Sequence, residues 1–128
     1  MTLALLTPAL LAAYRRTRYV VGDVVVRIGR RSAGASPLRE AVFITAWNPY
    51  SRRMPVEWNR RMQARLVERL RAADYVPAVG ADRGWSEDHL MVAMPAVKAA
   101  VLARRFRQNA IVVLRRGQVA RLRVIGQP

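Results

Sequence analysis

The residues best equipped for chemistry lie between Ile44 and Asn59, I-T-A-W-N-P-Y-S-R-R-M-P-V-E-W-N, where an apolar strand runs into hydrogen-bonding side chains just ahead of a helix. Thr45 and Trp47 share one side of that strand, and Asn48 follows immediately. A polar pocket at the strand's carboxyl end would face the start of the helix, whose unpaired N–H groups favour an anion. A purely structural account exists beside this one: Asn48-Pro49 is a strong turn signal, and Asn48, Tyr50 and Ser51 can satisfy the backbone of the turn they form. Asn59 stands in the apolar stripe of the helix, where an unpaired amide would cost about 1–3 kcal/mol. It is expected to point back at the Asn48 turn, as a tie or as a ligand contact, and both roles need the same geometry.

A second polar cluster is Trp85-Ser86-Glu87-Asp88-His89, which contains the single histidine. Asp88 and His89 are neighbours on a strand, so they point to opposite faces and cannot form an acid–base dyad with each other. His89 reads as an ordinary surface or satisfied residue, and Glu87 is the better acid or base if it faces the pocket. Gln108 and Asn109 follow a helix; Asn109 is a natural terminator, and Gln108 could cap a carbonyl or reach the same pocket. The chain has no glycine-rich phosphate loop, nucleophile elbow or H-E-x-x-H pair, which argues against the familiar nucleotide hydrolases, serine hydrolases and zinc proteases.

The elements that must position these residues can be read from periodicity. Thr7-Pro8 begins a short helix over residues 8–16. Residues 19–28 read as one strand, with Val20, Val24, Val26 and Ile28 on one face and Tyr19, Asp23, Val25 and Arg27 on the other. Residues 29–37 form a loop holding Arg30 and Arg31 in solvent, and residues 41–47 a buried strand. From about Pro55 to Ala73 the period becomes helical, with Asn59, Met62, Leu66, Leu70 and Ala73 on one stripe and Arg60, Arg61, Arg65, Arg69 and Arg71 elsewhere. Glu57 stands one turn before Arg61, the favourable order for an ion pair. Strands follow at 75–79 and 89–94, with a turn at 81–84 between them. Pro95 opens a third helix carrying Val97, Val101, Leu102 and Phe106, and residues 110–114 and 119–124 close as a hairpin across Arg116-Gly117. The order α-β-β-α-β-β-α-β-β predicts an α+β fold, a mainly antiparallel sheet of five or six strands with helices packed on one face.

Length and composition bound the partners. At 128 residues the chain is expected to be one domain, 1–128, burying roughly two thirds of its unfolded surface. With no cysteine and one histidine, thiolate and histidine-rich metal sites are excluded and no cofactor is indicated. The apolar stretch 1–13 lacks preceding basic residues and is interrupted by Pro8, and no segment matches a membrane span, so a soluble cytoplasmic protein is expected. The net charge of +15 would attract polyanions, although 22 of the 23 basic residues are arginine, a bias that genome composition also produces.

The ordered set I-T-A-W-N-P-Y-S at 44–51, E-W-N at 57–59, G-W-S-E-D at 84–88 and F-R-Q-N-A-I at 106–111 resembles a family of short bacterial proteins, domain of unknown function 3293. The resemblance runs from about Tyr14 to the carboxyl end and marks Thr45, Asn48, Pro49, Ser51, Asn59, Trp85, Glu87 and Gln108. It departs from the family's pattern at His89, where a small polar residue is usual, and at Arg107, where glycine is usual. The resemblance implies no activity.

Three readings of function remain. The first is a small anionic ligand bound by Thr45, Asn48, Ser51, Asn59, Trp85, Glu87 and Gln108, with or without a reaction. The second is nucleic-acid binding through Arg60, Arg61, Arg65 and Arg69 with Arg104, Arg105, Arg115 and Arg116. The third is docking on an acidic partner or a second copy, to which the charged edge Val119, Arg121 and Arg123 gives no support.

Overall fold

Glycine at position 22 divides the first expected strand in two. In the structure, a computed structural model describing residues 6–31, 40–70 and 72–125, Gly22 has φ +54° and closes a two-residue turn with Asp23. L-residues pay for that conformation and glycine does not. Residues 19–28 are therefore a hairpin of β1 (Arg18–Val21) and β2 (Val24–Val26), with Tyr19 opposite Val26 and Val21 opposite Val24. The reversal moves Tyr19 and Val21 onto the buried face of Val24, Val26 and Ile28, and sends Val25 to solvent at 47% exposure. The alternation was correct along each strand and inverted across the turn.

The remaining elements are α1 (Pro8–Arg16), β3 (Glu40–Ile44), α2 (Val56–Glu68), β4 (Tyr75–Asp82), β5 (Trp85–Val92), α3 (Ala96–Arg105), β6 (Ala110–Arg115) and β7 (Arg121–Val124). Thr7 caps α1, its hydroxyl oxygen accepting from the Leu10 N–H at 3.1 Å. β4 and β5 are longer than the sequence reading allowed, because the Arg83-Gly84 turn, with φ +72° at Gly84, lets pairing continue to Asp82 opposite Trp85. The expected loop 29–37 lies largely outside the described residues, as do Arg71 and residues 1–5 of the apolar amino terminus.

The fold is α+β, with seven strands rather than five or six. They lie in the order β2-β1-β4-β5-β3-β6-β7, every neighbouring pair antiparallel. The sheet curls until its two ends meet at a parallel bridge between Ile28 and Ala120. There the Gly29 N–H donates to the Ala120 carbonyl at 2.7 Å, and the Ala120 N–H to the Arg30 carbonyl at 3.2 Å.

Each face has its own core. On one, Val42, Ile44 and Ala46 of the β3 segment join Leu90, Val92, Ile111 and Val113 beneath Leu66 and Leu70 from α2 and its exit and Ala96, Ala99 and Ala103 of α3. On the other, Tyr19, Val26, Ala41, Phe43, Val112 and Leu114 fill the inside of the curl. α3 meets the sheet through alanine: Ala99 and Ala103 are fully buried, whereas Val97 and Val101 are 65% and 53% exposed. Small side chains let the helix axis approach the sheet closely, so the larger apolar residues need not face inward.

Candidate functional site

At the open end of the curl, β3 leaves the sheet and the chain turns sharply at Pro49–Ser51 before entering α2. The turn is backbone-strained. Asn48, Tyr50 and Ser51 have φ of 46°, 51° and 61°, three left-handed residues within four positions and none of them glycine. Such a turn persists only where its surroundings over-determine it, and the side chains here do so.

Asn48 and Asn59 hold each other. The Asn48 backbone N–H donates to Asn59 Oδ1 at 3.0 Å, Asn59 Nδ2 donates to Asn48 Oδ1 at 2.9 Å, and the Met54 N–H donates to the same Asn48 oxygen at 2.8 Å. Asn59 Nδ2 also reaches the Met54 carbonyl at 3.3 Å. One turn further along α2, Gln63 Oε1 accepts from the Ala46 N–H at 2.8 Å, while its amide donates to the Asp88 carbonyl at 3.2 Å. Thr45 donates its hydroxyl to that carbonyl at 2.6 Å and accepts from the Trp47 N–H at 3.1 Å. Asn59 and Gln63, both buried, thus bolt α2 to the end of β3.

From the far side, the Tyr50 N–H donates to the Arg107 carbonyl at 2.7 Å and Asn109 Nδ2 to Ser51 Oγ at 2.9 Å. Gln108 Nε2 donates to the Trp47 and Phe106 carbonyls at 3.1 and 3.2 Å. The left-handed residue that ends α3 is Arg107, φ 56°, rather than Asn109. Asn109 instead braces Ser51.

All seven residues that the sequence nominated, Thr45, Asn48, Ser51, Asn59, Trp85, Glu87 and Gln108, line one cavity of about 520 Å³. That is within the range of small-molecule pockets. Among the described residues, Glu87 is its one carboxylate and Arg53 its one cationic side chain. Asn48 Nδ2 donates to Glu87 Oε1 at 2.8 Å. Desolvation in this wall raises the Glu87 pKa, and the Asn48 bond only partly offsets it.

Several members of the wall were not nominated. Tyr14 and Thr17 come from α1 and its cap, Tyr19 from β1 and Phe43 from β3. α1 is tied in place by Arg16 Nε and Asp82 Oδ2 at 3.2 Å. Burial pushes the Tyr14 hydroxyl up to about 12 against a hydrogen bond with Ser51, and burial raises Tyr19 further. Of the two expectations for His89, a surface residue or a satisfied one, the structure has the second: it is buried in the same wall, at 8% exposure, with Nδ1 3.1 Å from the Glu87 carbonyl. Burial lowers its pKa to about 4, so the imidazole is neutral. Period two from Glu87 was the available signal for His89; nothing local announced Tyr14 or Tyr19, which arrive through long-range packing.

The eight arginines of the alternative surface are all exposed, on α2 and its exit, the end of α3 and the β6–β7 turn. Arg60 pairs with Glu57 at 3.0 Å, so the i,i+3 partner takes the carboxylate expected for Arg61. Arg115 lies 3.4 Å from Glu40. No group of three or more histidine, aspartate or glutamate side chains is gathered for a metal among the described residues, and no helix there is long and apolar enough to cross a membrane.

The architecture is thus a curled antiparallel α+β sheet with a polar and aromatic cavity at its open end. Residues 44–111, more than half of the chain, match the model of DUF3293, a protein family of unknown function, and the chain belongs to that family. That match spans most of the cavity wall. No curated protein and no solved structure matches the chain.

Proposed function

We propose that the cavity binds a small anionic ligand with a flat apolar part. The observation that carries this reading is the convergence of seven residues, singled out by residue type and by the family resemblance from four separate stretches of sequence, on one cavity of ligand size. Within it the roles divide. Asn48, Asn59, Thr45 and Gln108 spend their hydrogen bonds on the protein and build the wall. Ser51 is braced by Asn109 and Tyr14, which leaves Trp85 and Glu87 for the ligand. Arg53 supplies the positive charge, beside the amino terminus of α2, where Pro55 gives no side-chain cap and Val56 lines the cavity. Trp47, Trp85, Tyr14, Tyr19 and Phe43 line the cavity and give it aromatic surface for an apolar part.

A thermal-shift screen of carboxylates, phosphates and nucleotides tests this. A ligand at a hundredfold excess over its Kd stabilises the fold by about 2.7 kcal/mol, several degrees for a chain of this size. Trp85 is 42% exposed, so Trp85→Ala should keep the fold and weaken binding at least tenfold, and Arg53→Ala should do the same for anions. A screen in which no anion stabilises the wild type sinks the proposal.

A second reading, nucleic-acid binding, is supported by the exposure of all eight arginines. Its mark is affinity that falls steeply with salt.

A further inference from the structure

The β5 wall of the cavity is an acceptor surface, although an anion needs donors. Trp85, Glu87 and His89 alternate onto one face of β5 and all line the cavity. His89 Nδ1 lies 3.1 Å from the Glu87 backbone carbonyl. A carbonyl can only accept, so Nδ1 carries the proton and Nε2 of the neutral ring is a bare acceptor. The ring is fixed on two further sides: Tyr19 meets it edge-on, with centroids 5.4 Å apart, and Gly80 lies beneath it, where a Cβ would come within 2.7 Å of Cε1. Glu87 is held through Oε1 alone. Trp47 Nε1 is the one buried side-chain nitrogen or oxygen without a partner among the described residues. Glu87 Oε2 and His89 Nε2, which accept nothing among the described residues and are not among the buried atoms without a partner, therefore keep exposure toward the cavity they line.

We infer that the ligand of this cavity is a small zwitterion, whose protonated nitrogen is held by Glu87 Oε2 and His89 Nε2 and whose anionic group is held by Arg53. This rests on the anion-binding reading and adds the class of molecule. A carboxylate among aromatic faces suits an organic ammonium, while a chain of net charge +15 repels a ligand that is only cationic. A molecule carrying both charges satisfies the wall and the field together.

Isothermal titration of the full chain with phenylacetate, phenethylamine and phenylalanine tests it, because the three share a ring and differ in charged groups. Phenylalanine should bind at least tenfold more tightly than either of the others. Glu87→Gln keeps an acceptor for Asn48 and should abolish the advantage over phenylacetate; cooperative thermal unfolding at or above the wild-type midpoint verifies the fold. Equal affinity for phenylacetate and phenylalanine, or an advantage that survives Glu87→Gln, overturns the zwitterion and leaves the anion reading standing. Phenethylamine binding as tightly as phenylalanine overturns both, and the absence of binding by all three overturns the zwitterion.

Discussion

Asn59 is 1% exposed and bonded at both ends of its amide, which makes it the residue on which the strained turn depends. Asn59→Ala leaves the Asn48 N–H without an acceptor, at about 1–3 kcal/mol for each orphaned group. We expect a loss of about 2–3 kcal/mol in urea denaturation, with the cavity losing its shape as the turn relaxes. Glu87 behaves oppositely. Its folded pKa is raised, so the stability it contributes is present below the ordinary glutamate pKa and is lost as pH rises through the folded value. Glu87→Gln should therefore raise stability at pH 7, and the gain should shrink below the ordinary glutamate pKa. His89 has the reverse sign: a folded pKa of about 4 gives stability that is full above about 6.5 and falls toward about 4, by about 1.4 kcal/mol per pH unit inside that window. A pH series of denaturation curves should show that fall in the wild type and not in His89→Gln.

At the level of elements, the alanine face of α3 and the hairpin at Gly22 are the most exposed to test. Ala103→Leu forces a larger side chain into the fully buried helix–sheet contact and should cost about 1–3 kcal/mol. Val101→Ala, on the exposed side, should stay within about 0.5 kcal/mol. Equal effects of the two in parallel thermal melts would contradict the observed orientation of α3. Gly22→Ala keeps open space around its Cβ but strains φ +54°, and should cost about 1 kcal/mol. Helical and strand segments were legible because their periods are local. The Gly22 turn was not, because a two-residue reversal leaves a run of valines that reads on as one strand. The inward face of α3 was hidden for a related reason: hydrophobicity ranks valine above alanine, whereas close packing against β3 and β6 ranks by size.

For the whole molecule, charge acts without regard to the cavity. Net +15, carried on exposed arginines of α2, α3 and the β6–β7 turn, should give polyanion binding at low salt that falls log-linearly as salt rises. A filter-binding series with DNA measures it. Reversing Arg61, Arg65 and Arg69 to glutamate should remove most of that binding while leaving any small ligand's affinity within a few-fold, since none of the three lines the cavity. A salt-insensitive affinity would exclude the electrostatic account.

The residues nominated from the chain alone, from Thr45 to Gln108, share one cavity because turn chemistry, caps and strand ends are local signals, and this fold brings strand ends together. The same local rules led to the expectation that Asn59 points back at the Asn48 turn. Only the tertiary structure decided that their hydrogen bonds are spent on one another, that Tyr14 and Tyr19 complete the wall, and that His89 is a neutral acceptor beside Glu87. Burial, tautomer and pKa depend on what the curl of the sheet excludes from water. That curl is set by pairing between strands distant in sequence, ending where Ile28 meets Ala120.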